Sequence, residues 1–545
     1  MRDFCVVIPA VKKNVAFNDD LVKKLGGASL IQRAIDKALA LEPHAVHVVT
    51  DSEEIRLVCE RNGVHSHFDP ALRLANGAPA PGHPAGAPAL RLRDYLARAA
   101  QGLRGVMVVH PYAPMVGPAT LREAWRRFRR ERCDALISMK KERHRLFSPH
   151  AAGLRDLLHE GRLREAFTEA RAFQVLRPEM VRGALKRPRL KPYLLDDDEI
   201  VIESYRDWWI CEKLLARKRI VFRVIGDKRV GMGHIHRTLT LAHEITDHEI
   251  IFVCDERNSV AVHKLASYDY RLEVFPARRI EAGIVALKPD LVVHDMLDTE
   301  RGYVRRLRAR GIRVAGFEDF GGGAAEADLT INELFDQPVI PGERIRWGQR
   351  YYFVRDEFDS AAAHRFKRKV GGLLITFGGV DSSDFTRKAL CAVAPYCAAR
   401  GIRVHVVTGE GYAHRAALLA LLRRPEFAHV EYTNATGVMS SIMEQAEIAI
   451  CSNGRTVYEL AHMNVPAIVI AHHARENTHR FARAANGFVN LGLYRAARTE
   501  RRLLRALRRL VEDNSHRRAL FERIRRFSFR GNKRRVVRLV LGLLK

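Results

Sequence analysis

The sequence lacks the features that would place it in several common protein classes. Its eight cysteines are scattered and none forms a Cys-x-x-Cys pair, which argues against a zinc knuckle and against a disulfide framework. No apolar run is long enough to cross a bilayer, and the strand-like run Cys5–Ile8 starts too early to follow a signal peptide. We therefore expect a cytoplasmic protein with reduced cysteines.

Acidic side chains are scarce relative to basic ones. The chain has 63 Asp and Glu against 92 Lys and Arg, a formal net charge of +29. The excess is greatest in the amphipathic pattern 500–510 and in the tail 525–538. Such a face either is solvated or lies on an anionic membrane surface at the inner side of the membrane. No nucleic-acid-binding module is recognisable and aromatics do not interleave with the basic runs, so we expect no nucleic-acid partner.

Short apolar runs alternate with amphipathic helical patterns along the whole chain, which predicts an α/β fold with parallel sheets. The pattern restarts twice, near residue 219 and after an irregular connection at 339–368. We therefore predict three domains, 1–218, 219–365 and 366–545. The predicted strands are Cys5–Ile8, Val46–Thr50, Val106–Val109, Ala135–Met139, Ile220–Ile225, Ile250–Cys254, Leu291–His294, Arg313–Phe317, Leu373–Phe377, Val404–Thr408, Ile448–Cys451 and Ala467–Ile470. The predicted helices include 29–41, 52–62, 119–132, 205–216, 239–245 and 385–390.

One heptad stands out, Gly231-Met232-Gly233-His234-Ile235-His236-Arg237, between a predicted strand and a predicted helix. A glycine-rich turn at this position directs free backbone N–H groups and the helix dipole towards an anionic ligand. His234 could exchange a proton with that ligand. The same pattern equally fits an ordinary tight turn with a solvated histidine.

Two further strand–turn–helix junctions occur in the last domain. One contains Gly378 and Gly379, and the other is the segment 451–460. Small residues at such turns let a diphosphate approach backbone N–H groups, Arg455 could neutralise phosphate, and Glu459 could accept both ribose hydroxyls. Each turn alone fits a purely structural role, but three at corresponding strand ends favour a nucleotide cleft.

Residues 219–490 resemble the UDP-sugar hydrolase of pseudaminic acid synthesis and the spore-coat polysaccharide glycosyltransferase-like proteins. The matching strings are 222–226, 231–237, 290–295, 318–319, 328–332, 352–358, 377–381 and 453–466. The resemblance implies a GT-B pair of Rossmann-like domains, a UDP- or CMP-linked sugar as ligand, no cofactor, and His234 as the base. It implies that the substrate-binding residues are Gly231, Gly233, Arg237, Asp295, Gly378, Gly379, Asn453, Gly454, Arg455, Thr456 and Glu459. Hydrolases and transferases share this scaffold, so both activities remain open.

Residues 1–216 resemble an acylneuraminate cytidylyltransferase, through the strings 7–10, 25–31, 49–55, 110–114 and 207–212. The triphosphate loop of that family is glycine-rich, whereas residues 11–20 here contain no glycine and carry Asp19 and Asp20. Its paired metal-binding aspartates fall on Val201 and Glu203, so Glu203 is the remaining candidate ligand for Mg²⁺, with aspartates 196–198 nearby. We expect a weakened or repurposed domain rather than an active one.

These observations predict a nucleotide-sugar enzyme of bacterial surface-glycan biosynthesis, near a nonulosonic (sialic-like) acid. It would hydrolyse a UDP-sugar or transfer the sugar to a glycan or lipid-linked acceptor. The alternative from another class is a nucleotide-sugar-binding scaffold whose N-terminal domain is a pseudoenzyme.

Overall fold

The computed structural model describes residues 3–12, 20–70, 72, 92–142, 147–150, 153–156, 165–227 and 232–545. The chain divides into two compact units, Met1–Arg217 and Lys218–Lys545. The Pro/Gly/Ala-rich segment 77–88, expected to be a surface insertion or a lid, lies outside the described residues.

The first unit is built on a mixed sheet. Its strands are β1 Phe4–Ala10, β2 Lys24–Leu25, β3 Ala28–Ser29, β4 Val46–Thr50, β5 His65–Phe68, β6 Gly105–Val109, β7 Ala135–Lys141, β8 Phe147–His150, β9 Gly153–Asp156, β10 Phe167–Leu176 and β11 Leu190–Leu194. Its helices are α1 Leu30–Leu41, α2 Glu53–Arg61, α3 Leu92–Ala99, α4 Pro118–Glu131, α5 Pro178–Arg182 and α6 Tyr205–Ala216.

The main sheet of this unit has the strand order β11-β7-β10-β6-β1-β4-β5. All seven residues of β1 are buried, because a parallel strand covered by helices on both faces must be apolar throughout. Only β10 runs antiparallel to its neighbours in this sheet. Helices α1 and α2 begin one residue later than predicted because Ser29 and Ser52 are N-caps, whose hydroxyls accept from backbone N–H groups at 3.3 and 3.5 Å.

The second unit contains two parallel sheets in succession. The strands of its first half are β12 Arg219–Val224, β13 Glu249–Asp255, β14 Arg271–Phe275, β15 Leu291–Asp295, β16 Arg313–Phe317, β17 Leu329–Asn332 and β18 Ile345–Trp347, and the helices are α7 Gly233–Glu244, α8 Ser259–Leu265, α9 Ile280–Ala286 and α10 Arg301–Ala309.

The strands of the second half are β19 Gly372–Thr376, β20 Arg403–Thr408, β21 Val430–Asn434, β22 Ile448–Ser452, β23 Ala467–Ala471 and β24 Phe488–Leu493. Its helices are α11 Phe385–Ala399, α12 Arg415–Leu422, α13 Met439–Met443, α14 Thr456–His462, α15 Ala474–Asn477, α16 Ala496–Glu512, α17 Asn514–Ile524 and α18 Asn532–Leu541.

Both halves have the Rossmann strand order, which confirms the predicted fold class. The orders are β14-β13-β12-β15-β16-β17-β18 and β21-β20-β19-β22-β23-β24, and every pair is parallel. In such sheets ligands bind beyond the carboxyl ends of the strands. The prediction was wrong about one boundary near this edge: α7 already begins at Gly233, so His234 lies in the first helical turn rather than in a loop.

The last helix returns to the first half, although the sequence division at 365/366 assigns it to the second. Val536 and Val540 of α18 are buried in the core cluster that contains β12 and α7. Lys533 of the same helix donates to Asp356 at 2.7 Å and to Asp359 at 2.8 Å. The second unit is therefore closed by a helix that is distant in sequence.

The basic helix α16 directs its apolar face into protein. Leu503, Leu507 and Leu510 are buried in the core of the second half, whereas Arg501 and Arg505 are exposed. Within the described residues, no helix combines the length and the apolar character needed to cross a membrane.

Replacement of Leu507 by Ala should therefore destabilise the second unit by about 2–5 kcal/mol, because it leaves a cavity in a closed core. Arg505→Ala, two residues earlier on the exposed face, is the matched control and should change stability little. Urea unfolding of both variants measures the difference. Equal stability of the two variants would mean that the leucine face is not part of the core.

Candidate active site

A cleft of about 610 Å³ lies between the two halves of the second unit, at the carboxyl ends of both sheets. The first half contributes the start of α7 and the loops that follow β16 and β17. The second half contributes the loops that follow β19, β20, β21, β22 and β23. The topology thus brings together turns that are more than 200 residues apart in sequence.

His234 lines this cleft and is buried, with 5% of its surface exposed. Its Nδ1 lies 2.6 Å from Oδ1 of Asp295, the last residue of β15. Because an ionised carboxylate only accepts, Nδ1 carries the proton and Nε2 is the nitrogen left to accept another. The alternative of a tight turn with a solvated histidine is therefore wrong.

Arg237 is fully buried one helical turn after His234 and is surrounded by carboxylates. Its Nε donates to Oδ2 of Asp295 at 2.7 Å, and its terminal nitrogens donate to Oε2 of Glu318 at 2.9 Å and to Glu333. Arg237 is among the residues that line the cleft, although its nitrogens are paired within this cluster, so its contact with substrate stays a prediction. Asp295 is fully buried and does not line the cleft, so its assignment to the substrate needs correction. Both side chains contact Nδ1 of His234, Asp295 at 2.6 Å and Arg237 at 3.2 Å.

Two arginines, Arg237 and Arg455, face the three carboxylates of the cluster. Burial opposes ionisation of Asp295, but the contacts with Arg237 and the hydrogen bond with His234 together outweigh burial and hold the pKa of this carboxyl below its ordinary value. The pKa of Glu318 is also well below its usual range, since the neighbouring cationic groups, Arg237 first and Arg455 among them, together outweigh burial. Among the described residues, His234, Asp295 and Glu318 form the one group with metal-ligand spacing. Arg237 already supplies the cation that these carboxylates require.

Glu333 connects the cluster to the other half of the unit. Its Oε1 accepts from Arg237 and, at 2.5 Å, from Nη1 of Arg455, which lies in the loop after β22. The Arg455 guanidinium stacks over the ring of Tyr352, 4.7 Å from its centroid. A Cβ at Gly233 would lie 3.2 Å from the Arg455 side chain, which explains the small residue at the start of α7.

The glycines predicted at the β19 turn lie on the cleft, but Gly231 falls outside the described residues. Gly378 has φ +83°, a conformation that glycine adopts without strain, and a Cβ there would meet open space. Gly379 packs so tightly against Gly409 that a Cβ on Gly409 would lie 2.4 Å from it. The backbone of this turn is therefore accessible to a ligand.

Some residues at and after the end of β22 line the cleft, and one is buried away from it. Gly454, Arg455, Thr456 and Glu459 line the cleft, as predicted for a nucleotide-binding segment. Asn453 does not: it is fully buried, and its Nδ2 donates to the carbonyl oxygens of residues 476 and 479 at 2.7 and 3.0 Å. Its assignment to the substrate is corrected to a role in holding this loop against the next one.

Two cleft residues and one buried residue beside the cleft escaped the sequence analysis. Arg355 donates to Oε1 of Glu459 at 3.0 Å, and Arg475 crosses the cleft to the backbone oxygen of Glu318 at 2.9 Å. Glu333 is the third. Its position directly after the buried strand β17 was the available signal, since the carboxyl ends of parallel strands share one edge.

The magnesium site expected in the first unit stays a prediction. Glu203 is exposed, its backbone N–H donates to Asp207 at 3.1 Å, and it belongs to no group of three candidate ligands. Asp20 is buried and accepts from the Tyr112 hydroxyl at 3.2 Å, so it does not project towards a nucleotide as expected. Asp19 lies outside the described residues.

The second half of the cleft matches a known family. Residues 373–535 match the model of the glycosyltransferase family 28 C-terminal domain. This segment contains β19 to β24 and the turns described above.

Two curated proteins are similar over about 260 residues. One is an uncharacterized protein of Methanocaldococcus jannaschii, 26% identical over 263 residues, which are 45% of this chain and 54% of the relative. The chain thus spans about half the length of that relative. The other is the spore coat polysaccharide biosynthesis protein SpsG of Bacillus subtilis, 23% identical over 261 residues, 45% of this chain and 75% of the relative.

Solved structures that resemble the chain include MurG of Acinetobacter baumannii, with 15% identity and a TM-score of 0.44 over 60% of this chain and 99% of that one. HepE of Anabaena in complex with UDP and glucose has 11% identity and a TM-score of 0.41, over 60% of this chain and 100% of that one.

Replacement of Arg237 by Met should destabilise the second unit by about 3–5 kcal/mol at neutral pH, because buried carboxylates lose their cation. In the wild type, the lowered pKa values of Asp295 and Glu318 mean that the cluster stabilises the fold above about pH 4 and loses this contribution on further acidification. In the variant these buried carboxyls have lost the Arg237 cation, so they take up protons at higher pH. The difference in unfolding free energy between wild type and variant should therefore shrink as the pH falls from about 7 to about 5.

Urea unfolding at several pH values tests this prediction. The control is Arg306→Met, which removes an exposed arginine that donates to Glu281 at 2.7 Å and should cost much less. A deficit independent of pH would mean that Arg237 contributes through packing rather than through charge.

Proposed function

We propose that the second unit transfers a sugar from a nucleoside-diphosphate donor to an acceptor hydroxyl, with His234 as general base. The observation that carries the proposal is the His234–Asp295 pair, because it presents one imidazole nitrogen to a cleft whose other wall belongs to a glycosyltransferase family 28 C-terminal domain. A base on one half and a nucleotide on the other would place the reacting atoms between them.

In the proposed reaction, the acceptor oxygen attacks the anomeric carbon while the bond from that carbon to the diphosphate oxygen breaks. The acceptor proton passes to Nε2 of His234, and Asp295 stabilises the resulting imidazolium. Negative charge develops on the leaving diphosphate. The bare turn at Gly378 and the Arg455 guanidinium are the groups that would receive it.

For the nucleoside we propose the pocket around Glu459. The Arg355 contact at 3.0 Å orients this carboxylate in the first turn of α14, and an oriented carboxylate can accept both hydroxyls of a ribose. We take uracil as the base, as the sequence resemblance implies. A water molecule in place of the acceptor would turn the same geometry into a hydrolase.

The pathway we propose is surface-polysaccharide biosynthesis, supported by the name of the SpsG relative. The resemblance of residues 1–216 to acylneuraminate cytidylyltransferases adds a nonulosonic acid as the neighbouring metabolite. We propose that this first unit no longer transfers cytidylyl groups, because residues 11–20 contain no glycine and Val201 stands where the resembling family has a metal-binding aspartate. The exposed arginines of α16 support a cytoplasmic site of action beside an anionic membrane surface.

Replacement of His234 by Ala should lower turnover by about 10²–10⁴-fold, the usual loss on removal of a general base, and should leave UDP affinity nearly unchanged. Release of free nucleotide from a panel of UDP-, CMP- and GDP-sugars measures turnover, with and without Mg²⁺ and with glycan acceptors added or omitted. His263→Ala, an exposed histidine on α8 outside the cleft, is the control.

Wild-type rates in the His234 variant would show that His234 is not the general base. Release of UDP at full rate without any acceptor would assign hydrolysis instead of transfer.

Replacement of Glu333 by Gln should make UDP bind about 3- to 10-fold more tightly and should lower kcat. Glu333 competes with a diphosphate for Arg455, so its neutralisation frees that guanidinium. It also leaves Arg237 with one carboxylate fewer, so Arg237 interacts more strongly with Asp295. The Asp295 carboxylate then supports His234 less. Calorimetry with UDP and nucleotide-release rates measure both effects.

The matched control is Glu326→Gln, which removes a carboxylate that Arg305 contacts at 2.8 Å on the surface. If Glu333 served only to hold the fold together, its replacement would weaken UDP binding. A gain or a loss of UDP affinity therefore distinguishes the two roles.

A further inference from the structure

Part of the cleft extends away from the nucleotide-binding half along helix α7. His236, Thr240 and His243 follow one another at helical spacings of four and three, so they share one face, and all three line the cleft. At 1.5 Å per residue, His243 lies about 14 Å along the helix from His234. The cleft is therefore longer than the space a donor sugar requires beside the base.

The far end of this groove is formed by rings and one ammonium group. Tyr268 lies 6.0 Å from the ring of His243, and the ammonium of Lys264 lies 5.8 Å from the Tyr268 centroid. His243 is held in place because its Nδ1 contacts Asp356 at 2.7 Å, and Asp356 is held in turn by Lys533. We define the α7–α8 subsite as residues His236, Thr240, His243, Lys264 and Tyr268.

The arginines of the cleft are already paired with carboxylates. Arg455 contacts Glu333 at 2.5 Å, Arg355 contacts Glu459 at 3.0 Å, and Arg475 contacts Asp298 at 3.2 Å, while Arg237 lies in the buried cluster.

Lys264 differs from them: no carboxylate of the described residues lies within ion-pair distance of its ammonium, although the side chain is half-buried. Its charge reaches the interior of the groove. Burial, then Arg355 and then Lys264 lower the pKa of His236 to about 4. A half-buried cation that faces a groove and has no carboxylate partner is complementary to an anionic ligand.

We infer that the α7–α8 subsite binds the acceptor and that this acceptor is an acidic saccharide, with its anionic group on Lys264 and a sugar ring against Tyr268 and His243. This inference rests on the proposed function, which places the donor nucleotide on the opposite wall. A carboxylate and a phosphate ester are both compatible with the ammonium, so the shared chemistry is a sugar that carries a negative charge.

The experiment titrates UDP-loaded protein with four probes and follows binding by ligand-observed NMR. The probes are glucuronate and N-acetylneuraminate for the carboxylate, glucose 1-phosphate for the phosphate, and glucose as the neutral match. We expect at least one acidic probe to bind more tightly than glucose. Lys264→Met should weaken that probe by on the order of tenfold, the value of one charge-assisted hydrogen bond. Lys264→Arg should retain most of the affinity.

Lys369→Met is the matched control, since it removes the same charge from an exposed site outside the cleft. Its acid affinity should equal that of the wild type. Melting temperatures of all variants establish that they are folded.

Equal binding of acidic probes and glucose would overturn the inference, as would unchanged acid affinity in Lys264→Met or the absence of any acid binding. A parallel loss of UDP affinity in Lys264→Met would also overturn it, because Lys264 would then belong to the donor site. Failure of the wild type to bind UDP is a different result: it rejects the proposed function, and the same titration without UDP still tests the subsite.

Discussion

The buried Arg237 guanidinium is the interaction on which the rest of the candidate site depends. It donates to Asp295, Glu318 and Glu333, and it helps to hold the pKa values of Asp295 and Glu318 below their ordinary values. Since Asp295 remains ionised, it can hold His234 by Nδ1 and leave Nε2 for chemistry. One arginine thereby fixes the surroundings of His234, the proposed base.

The same network joins the two halves of the second unit. Glu333 shares its Oε1 between Arg237 of the first half and Arg455 of the second, so one carboxylate links the arginine beside His234 to the arginine in the loop after β22. The helix α18 fastens the halves a second time, through Val536 and Lys533. These contacts hold the two walls of the cleft in position, and the space between them is open to a ligand.

Much of the framework could be predicted because strand periodicity is local. The runs that became β4, β16 and α6 carry their signals in adjacent residues, and their predicted bounds agree with the structure. Helix starts were less certain: Gly233 looks like a turn residue, yet it is the first residue of α7, where a Cβ would lie 3.2 Å from the side chain of Arg455. Arg455 is more than 200 residues away in sequence, so a local sequence pattern cannot reveal this contact.

The sequence by itself determined the α/β class with parallel sheets and the turns at which a nucleotide site could form, since these follow from periodicity and from glycine positions. The pair of Rossmann-like domains was implied by the family resemblance. Only the tertiary structure decided the role of each side chain. It placed Arg237 and Asp295 in a buried cluster with His234, turned Asn453 inwards and brought Glu333 into contact with Arg455. Burial and pairing are properties of contacts between distant segments, and these contacts exist only once the two sheets face each other.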